Sequence, residues 1–329
     1  MRIERIDFTD PGDRLAQWHA AHLASEESRP GFWLGLRRFT VMVERGWADN
    51  LMEAWVAEEA GHVLGGYSLH LPTRDNVHGC SLRFFVVHPG HRRRGTGSAL
   101  LAHAGRRARE HGRRTIRITG PAEVAVSAFA EAAGAKLGMV DTRAALDLHA
   151  ADRPALAGAR AEAVRRARDY RLERWTGPTP PELVPDMVRL MEGMNDAPQD
   201  GLEIEGVRWD ADRYVASEEA IRDAGLLAYT TIARHVETGE PAGYTQIHVD
   251  AEEPRGWSHQ GDTTVLAAHR GHRLGLLMKI ENTSWFQERD PSIRYVVTRN
   301  ADSNTHMVAI NELMGFRPLD RWHHWQLRL

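Results

Sequence analysis

The chain has 329 residues, 42% of them hydrophobic and 26% charged, with a formal net charge of −3. That balance fits a globular protein, excludes a disordered one, and gives no general pull toward nucleic acid or an anionic membrane surface. Cys80 is the single cysteine, so no disulfide framework forms within the chain. No uncharged apolar run reaches the roughly 18 residues of a membrane span, and a cytoplasmic protein is expected.

At about 100–200 residues per domain, this length predicts two domains. Residues 1–7 alternate apolar and charged side chains, which reads as a strand and lacks the apolar core of a signal peptide. The region after Gly12 looks helical, and Trp18, Trp33 and Trp47 are expected to pack it. Residues 54–58 and 63–71 read as paired strands turning at Gly61, and 81–87 as a third strand. A helix over 97–110 carries Leu100, Leu101, Ala104 and Ala108 on one face. A strand over 115–119 and a helix over 124–133 follow. Residues 150–168, rich in Ala and Arg with Pro154 and Gly158, read as a partly helical linker.

The second half repeats the order. Strands are expected at 170–175, 226–233, 242–249, 262–266, 293–298 and 322–329, with helices at 181–194, 275–286 and 304–313. The repeat is also direct: residues 86–101 read VVHPGHRRRGTGSALL and residues 264–279 read TVLAAHRGHRLGLLMK. An offset of 178 sets Val87 on Val265, His91 on His269, Arg92 on Arg270 and Gly97 on Gly275. One long period in two copies indicates two domains of one fold, at 1–150 and 169–329 with a linker at 151–168.

The sharpest chemical signal lies between Val87 and Leu100, where an apolar strand enters a loop dense in Arg and Gly that opens a helix. Unpaired N–H groups and the helix dipole at such a terminus suit a pyrophosphate. Arg92, Arg93 and Arg94 add charge, Gly95 and Gly97 permit close approach of backbone to phosphate, and Thr96 and Ser98 complete the turn. No Gly-x-x-x-x-Gly-Lys run exists, and Leu100 stands where a dinucleotide fingerprint needs glycine.

The run Arg92-x-x-Gly95-x-Gly97, after an apolar strand and His88-Pro89, resembles the acetyl-CoA loop of the GNAT superfamily. The resemblance implies an α/β (α+β) fold made of two tandem GNAT domains. Each would be a mixed, mostly antiparallel sheet, splayed at the CoA site and flanked by helices. It further implies that Val86 and Val87 bind the pantetheine arm, and that Val265 and Leu266 with Arg270, Gly271, His272, Arg273, Leu274 and Gly275 form a second site. Arg273 there departs from the pattern, standing where the first glycine belongs. Asn304-x-x-Met307-x-x-Ile310-Asn311-x-x-x-Gly315-Phe316 is similar to the signature of the last GNAT helix, which adds Asn304 to the CoA contacts. The second half also looks like actinobacterial tandem proteins of the mycothiol-synthase type.

The family's acid tyrosine is missing from both halves: Ala130 takes its place in the first, where Glu123 also replaces the signature asparagine, and Asn311 takes it in the second. Asp262 stands near the position of the family's carboxylate base, with Trp257, His259 and Asn300 expected nearby, whereas the first half offers Arg83 and Phe84. Catalysis by Asp262 and Asn311 in the second half is therefore favoured, although the first loop is the better match. Asp262 also reads as a strand-end cap and Asn304 as a helix N-cap. The implied activity moves an acetyl or other short acyl group from acyl-CoA to a small-molecule amine; the alternative is a catalytically weak CoA sensor or scaffold. The acidic stretch 192–198, with Asp200, Glu203 and Glu205, would suit a cationic amine. No metal is expected, since His323-His324 has no cysteine or acidic company. No nucleic-acid or membrane partner is expected either, and the chain is read as a monomer or homodimer.

Overall fold

The computed structural model describes residues 1–31, 34–46, 50–150 and 152–329, so Trp33 and Trp47 lie outside the described residues. The chain opens with β1 (Arg2–Arg5), α1 (Arg14–Glu26), α2 (Leu36–Glu44), β2 (Asn50–Glu59), β3 (His62–Pro72) and β4 (Gly79–Val87). Next come α3 (Thr96–Glu110), β5 (Thr115–Pro121), α4 (Val124–Ala132), β6 (Lys136–Asp147) and α5 (Arg153–Arg166). The second half runs β7 (Tyr170–Thr176), α6 (Val184–Glu192), α7 (Ala211–Asp223), β8 (Leu226–His235), β9 (Pro241–Asp250) and β10 (Trp257–Val265). It closes with α8 (Leu274–Arg289), β11 (Tyr295–Ala301), α9 (Thr305–Met314) and β12 (Arg317–Arg328).

Two compact units result. One comprises Met1–Val140 with Gln199–Glu205 and Arg321–Leu329; the other comprises Asp141–Pro198 and Gly206–Asp320. In the first, β1, β2, β3 and β4 pair antiparallel in turn, β4 pairs parallel with β5, and β12 closes antiparallel on β5. In the second, β7, β8, β9 and β10 repeat the antiparallel run, β10 pairs parallel with β11, and β6 closes antiparallel on β11. Each unit thus has the mixed, mostly antiparallel sheet of the expected fold class.

The closing strands are exchanged. Residues 141–147 of β6 leave the half they follow and pair with β11, while Trp322 to Arg328 of β12 pair with β5. The units therefore differ from a division at 1–150, 151–168 and 169–329. β6 escapes sequence reading because KLGMVDTRAALD has no apolar alternation. The stretch read as a linker is α5, a structural helix: Asp152 caps the Ala155 N–H at 3.0 Å, and Ala163 and Ala167 are buried in the core of the second unit. α7, which no apolar period announces, starts at an Asp210 cap on the Arg213 N–H at 2.8 Å.

Each sheet is covered on both faces. In the first unit, α3 buries Leu100, Leu101 and Ala104 against Tyr67, Leu69 and Ile116, while α1 and α2 bury Trp18 and Phe39 against Val56 and Val86. α3 is tied to β2 by Glu53, which accepts from Arg107 Nε at 2.9 Å and contacts His111 Nε2 at 2.8 Å. Burial opposes ionisation of Glu53, yet hydrogen bonds from Arg107, His111 and Trp55 hold its pKa down at about 2. In the second unit, α8 packs Met278 and Phe286 on Ile247 and Ala233, while α6 and α7 pack Met187, Leu190 and Tyr214 on Ile232 and Tyr244. Among the described residues no helix is long and apolar enough to cross a membrane.

One core position breaks the apolar rule. Lys279 of α8, where the first half has Leu101, is 1% exposed with its ammonium 5.2 Å from the Phe316 ring. Burial drives its pKa down to about 7 from 10.5. The unfolded chain therefore binds this proton across pH 7–10.5 and the native one does not, so stability falls as pH drops through that window. Replacing Lys279 with Met is expected to stabilise the protein by roughly 3 kcal/mol at pH 7. In denaturant titrations the gap should close toward pH 10, whereas a purely apolar gain would be independent of pH. Deleting residues 321–329 removes buried Trp322 and Trp325 and uncovers the β5 edge. That truncation is expected to abolish cooperative unfolding of the first unit in circular-dichroism melts.

Candidate functional site

In both units the strand before the Arg/Gly loop parts from its parallel neighbour. β4 pairs with β5 only from Gly79 to Leu82, and β10 with β11 only from Trp257 to His259. The cause is a bulge. Phe84 and Phe85 stand opposite a single residue of β3, since Arg83 pairs with Ser68 and Val86 with Gly66. Gly261 and Asp262 stand opposite a single residue of β9, since Gln260 pairs with Ile247 and Thr263 with Thr245. An extra residue bends and twists its strand, so the last residues of β4 and β10 have one free edge. Val86 and Val87, like Thr264 and Val265, lie on that edge.

Both loops leave this edge along one backbone path. Arg92 Nε donates to the Val87 carbonyl at 3.1 Å, and Arg270 Nε to the Val265 carbonyl at 3.0 Å. In the first loop Arg93 (φ 62°) and Gly95 (φ 84°) are left-handed; in the second, Gly271 (φ 87°) and Arg273 (φ 56°) are. The missing glycine at 273 is thus offset by a gained one at 271. Each loop keeps one arginine in a conformation costing about 1 kcal/mol. The first helical bonds run from Ala99 N to Gly95 O at 3.0 Å and from Leu277 N to Arg273 O at 3.0 Å. The N–H groups of Thr96, Gly97 and Ser98, and of Leu274, Gly275 and Leu276, consequently have no partner within their helices. Both ends fit a diphosphate. Side chains of Thr96 and Leu274 are buried and serve packing, whereas Ser98 is exposed. Leu266 faces the α6–α7 core.

Charge distinguishes the loops. Arg92, Arg93 and Arg94 are exposed, with no ion pair among the described residues. In the second loop Arg270 pairs with Asp196 at 2.5 Å and Arg273 with Glu162 at 3.3 Å. His272 and His269 surround Tyr170, whose hydroxyl is 3.1 Å from His269 Nδ1. The second loop is the more nearly neutral anion site.

The acceptor sides differ more. With the offset of 178, Asp262 falls on Phe84 and Tyr244 on Gly66. Trp18 is fully buried over Gly66 and donates its Nε1 to the Phe84 carbonyl at 3.2 Å. Phe39 and His22 pack edge-on against Phe84, with centroids at 5.1 and 5.4 Å. The first acceptor side is therefore filled with aromatic rings, and burial lowers the His22 pKa to about 4. In the second unit Asp262 stays open to solvent on its bulge, yet protein surrounds it closely enough for desolvation to raise its pKa; the Tyr244 hydroxyl, which donates to Met191 Sδ at 2.9 Å, partly opposes that. Tyr244 was not foreseen, although the repeat offset applied to Gly66 would have found it.

The remaining expected residues are largely committed elsewhere. Asn304 Oδ1 accepts from Met307 N at 3.2 Å as the α9 cap. Asn311 is buried and donates Nδ2 to Asn300 Oδ1 at 2.7 Å. Trp257 stacks on Tyr295 at 4.4 Å. Glu123 of the first unit binds Arg29, which also pairs with Glu26 and lies 5.7 Å from the Trp322 ring. The acidic lip does not gather as expected. Asp196 is held by Arg270, whereas Glu203 pairs with Arg328 and Glu205 with His78 in the first unit, because 199–205 docks there through Asn76 and Gln326. His323 contacts Ser127 at 3.2 Å and His324 contacts Thr119 at 3.1 Å. Among the described residues no His, Cys, Asp and Glu group could hold a metal ion.

Residues 13–135 match the acetyltransferase (GNAT) family model. A search of curated proteins returned no match. Among solved structures, a tandem GNAT protein from the clavulanic acid biosynthesis pathway is 29% identical, covering 99% of this chain and 98% of its own, with a TM-score of 0.81. A GCN5-related N-acetyltransferase from Sphaerobacter thermophilus, 15% identical, covers 99% and 95% with a TM-score of 0.68. A glucosamine N-acetyltransferase region of a fungal multi-domain β-N-acetylglucosaminidase, 14% identical, covers 99% of this chain and 38% of that one, with a TM-score of 0.71. The last two share the fold. Residues 13–135 thus form a GNAT-family domain, and over its whole length the chain shares the fold of a tandem GNAT protein.

The charge difference favours an anionic ligand at the first loop over the second. Calorimetric titration of acetyl-CoA is expected to show two unequal sites. A Cβ on Gly97 would already touch Phe129 at 3.5 Å and Val87 at 3.7 Å, so the ring of Gly97→Trp must fill the loop mouth and abolish the tighter site. Gly275→Trp should remove only the weaker one. Loss of all binding from Gly97→Trp alone would mean that the second loop does not bind, and would count against catalysis in that half.

Proposed function

We propose that the chain transfers an acetyl or other short acyl group from acyl-CoA to an amine of a small molecule, and that the second half performs the transfer. The observation that carries this reading is Asp262, open on the β10 bulge where the first half has the half-buried Phe84, its carbonyl taken by Trp18 and its ring packed on Phe39 and His22. The edge and loop of 264–276 would hold the acyl-CoA, whose thioester supplies the acyl group. Asp262 takes the ammonium proton, the freed amine forms the new C–N bond, and the C–S bond breaks. With no tyrosine at position 311, the sulfur departs as a thiolate, which a thiol pKa near 8.5 makes tolerable. The first loop then binds acyl-CoA without turnover.

A small-molecule acceptor is supported by the 29%-identical tandem GNAT protein from the clavulanic acid biosynthesis pathway. Since Asp196, Glu203 and Glu205 are paired, the attraction for a cationic amine falls chiefly to Asp262.

Release of the CoA thiol from acetyl-CoA, followed colorimetrically over a panel of primary amines, tests the assignment. Asp262→Asn is expected to lower kcat by about 10²–10³-fold. Because desolvation raises the Asp262 pKa, the rate should fall with decreasing pH along a limb above the ordinary carboxylate range, and the variant should lack that limb. An unaltered rate in Asp262→Asn would move catalysis elsewhere. Binding of acetyl-CoA with no turnover on any amine would favour the sensor reading.

A further inference from the structure

We propose that the Thr263 hydroxyl donates a hydrogen bond to the thioester carbonyl oxygen in the second half; this rests on the reading of that half as the one that turns acyl-CoA over. Thr263 follows Asp262 at the end of the bulge, on the part of β10 that has no partner in β11. It shares one strand face with Val265, and its cross-strand partner Thr245 shares that face of β9 with Ile247, beneath α8. The two halves differ there by a matched exchange. With the offset of 178, Leu82, Tyr67 and Phe85 of the first half fall on Gln260, Thr245 and Thr263. The first three pack in or against the apolar core: Phe85 stacks on Phe129 at 5.8 Å, and the Tyr67 hydroxyl is spent on His103 Nδ1 at 2.6 Å. The second three are polar and bonded in a row.

The row has a direction. Gln260 Nε2 donates to the Gln246 carbonyl at 2.6 Å and to Thr245 Oγ1 at 3.0 Å, with the Gly261 carbonyl at 3.3 Å. Two carbonyls beside it fix that atom as the nitrogen, because an amide oxygen there would face acceptors. Thr245 is completely buried, and its Oγ1 lies 2.7 Å from Thr263 Oγ1. One proton joins the two hydroxyls. Were it the proton of Thr263, that of Thr245 would have no acceptor among the described residues, at a cost of about 1–3 kcal/mol in a site closed to water. Thr245 therefore donates and Thr263 accepts. The Thr263 proton is left free, on a half-buried side chain at the freed edge. Of the two acceptors in a thioester, oxygen takes such a proton far better than sulfur, and oxygen gains charge as the amine attacks. Asn311, which stands in the place of the family acid, is drawn to the β11 side by its bond to Asn300 at 2.7 Å.

The test reads the carbonyl itself. Acetyl-CoA labelled with ¹³C at the thioester carbonyl is bound to Gly97→Trp protein, which keeps only the second loop, and the carbonyl stretch is followed by difference infrared spectroscopy. Thr263→Val in that background keeps the side-chain shape and removes the hydroxyl. The stretch should move to higher frequency, and Thr263→Ser should move it back. With acetyl-CoA and any amine turned over in the screen, kcat of Thr263→Val should fall about 10²-fold while KM for acetyl-CoA holds. An unchanged frequency in Thr263→Val overturns the proposal, whatever the turnover. A raised frequency in a protein that turns over no amine upholds the Thr263 hydrogen bond and sinks the reading of the second half as a transferase. Failure of Gly97→Trp to bind acetyl-CoA at all overturns both.

Discussion

Everything functional in this chain depends on one extra residue in the central strand of each sheet. A strand that kept its parallel pairing to the end would spend its amides on its neighbour and leave no opening. The bulges at Phe84–Phe85 and Gly261–Asp262 stop that pairing after three or four residues and free one edge. The carbonyls of Val87 and Val265 are then taken by Arg92 and Arg270, so the residue that begins each loop is anchored to the strand that precedes it. The two left-handed residues that follow turn the chain into α3 and α8 with their first N–H groups facing outward.

On that shared frame the halves have separated in charge and in shape. Among the described residues the three arginines of the first loop form no ion pair, while Glu162 and Asp196 neutralise much of the second. The first acceptor side is packed with Trp18, Phe39 and Phe84; the second retains Asp262 and a buried tyrosine. Unpaired loop arginines and an open carboxylate have thus been weighted toward opposite halves. A duplicated fold tolerates this because the bulge geometry depends on backbone pairing, and side chains on it can change freely.

The closing strands are shared between the halves as well. β12 completes the sheet of the first unit and β6 that of the second, and 199–205 adds backbone bonds to the first unit through Asn76, Gly138 and Gln326. Neither half of the sequence contains all the strands of its own sheet. The C-terminal residues of the chain are therefore as much a part of the first core as residues near its start, with Trp325 packed in the cluster that contains Leu100 and Ile116.

The repeat at offset 178, the Arg/Gly loops, the succession of strands and helices and the absence of the family tyrosine were all legible in the residues, because each is written in local spacing. Asp262 was legible as the one carboxylate of its strand, near the base position that the family resemblance implied. Tertiary structure alone decided the rest. β6 and β12 carry too little apolar alternation to announce their partners, and strand pairing over such distances follows from which edges remain open. The acidic residues 203 and 205 looked like a pocket rim until Arg328 and His78 claimed them, since an ion pair records nothing in the sequence near either partner. The sealing of the first acceptor side needed a glycine, a tryptophan and a phenylalanine from three separate elements to meet at one point. Sequence determined the two Arg/Gly loops, because their spacing is local; packing determined that aromatic rings fill one bulge while the other keeps an open carboxylate, because those contacts join residues far apart in the chain.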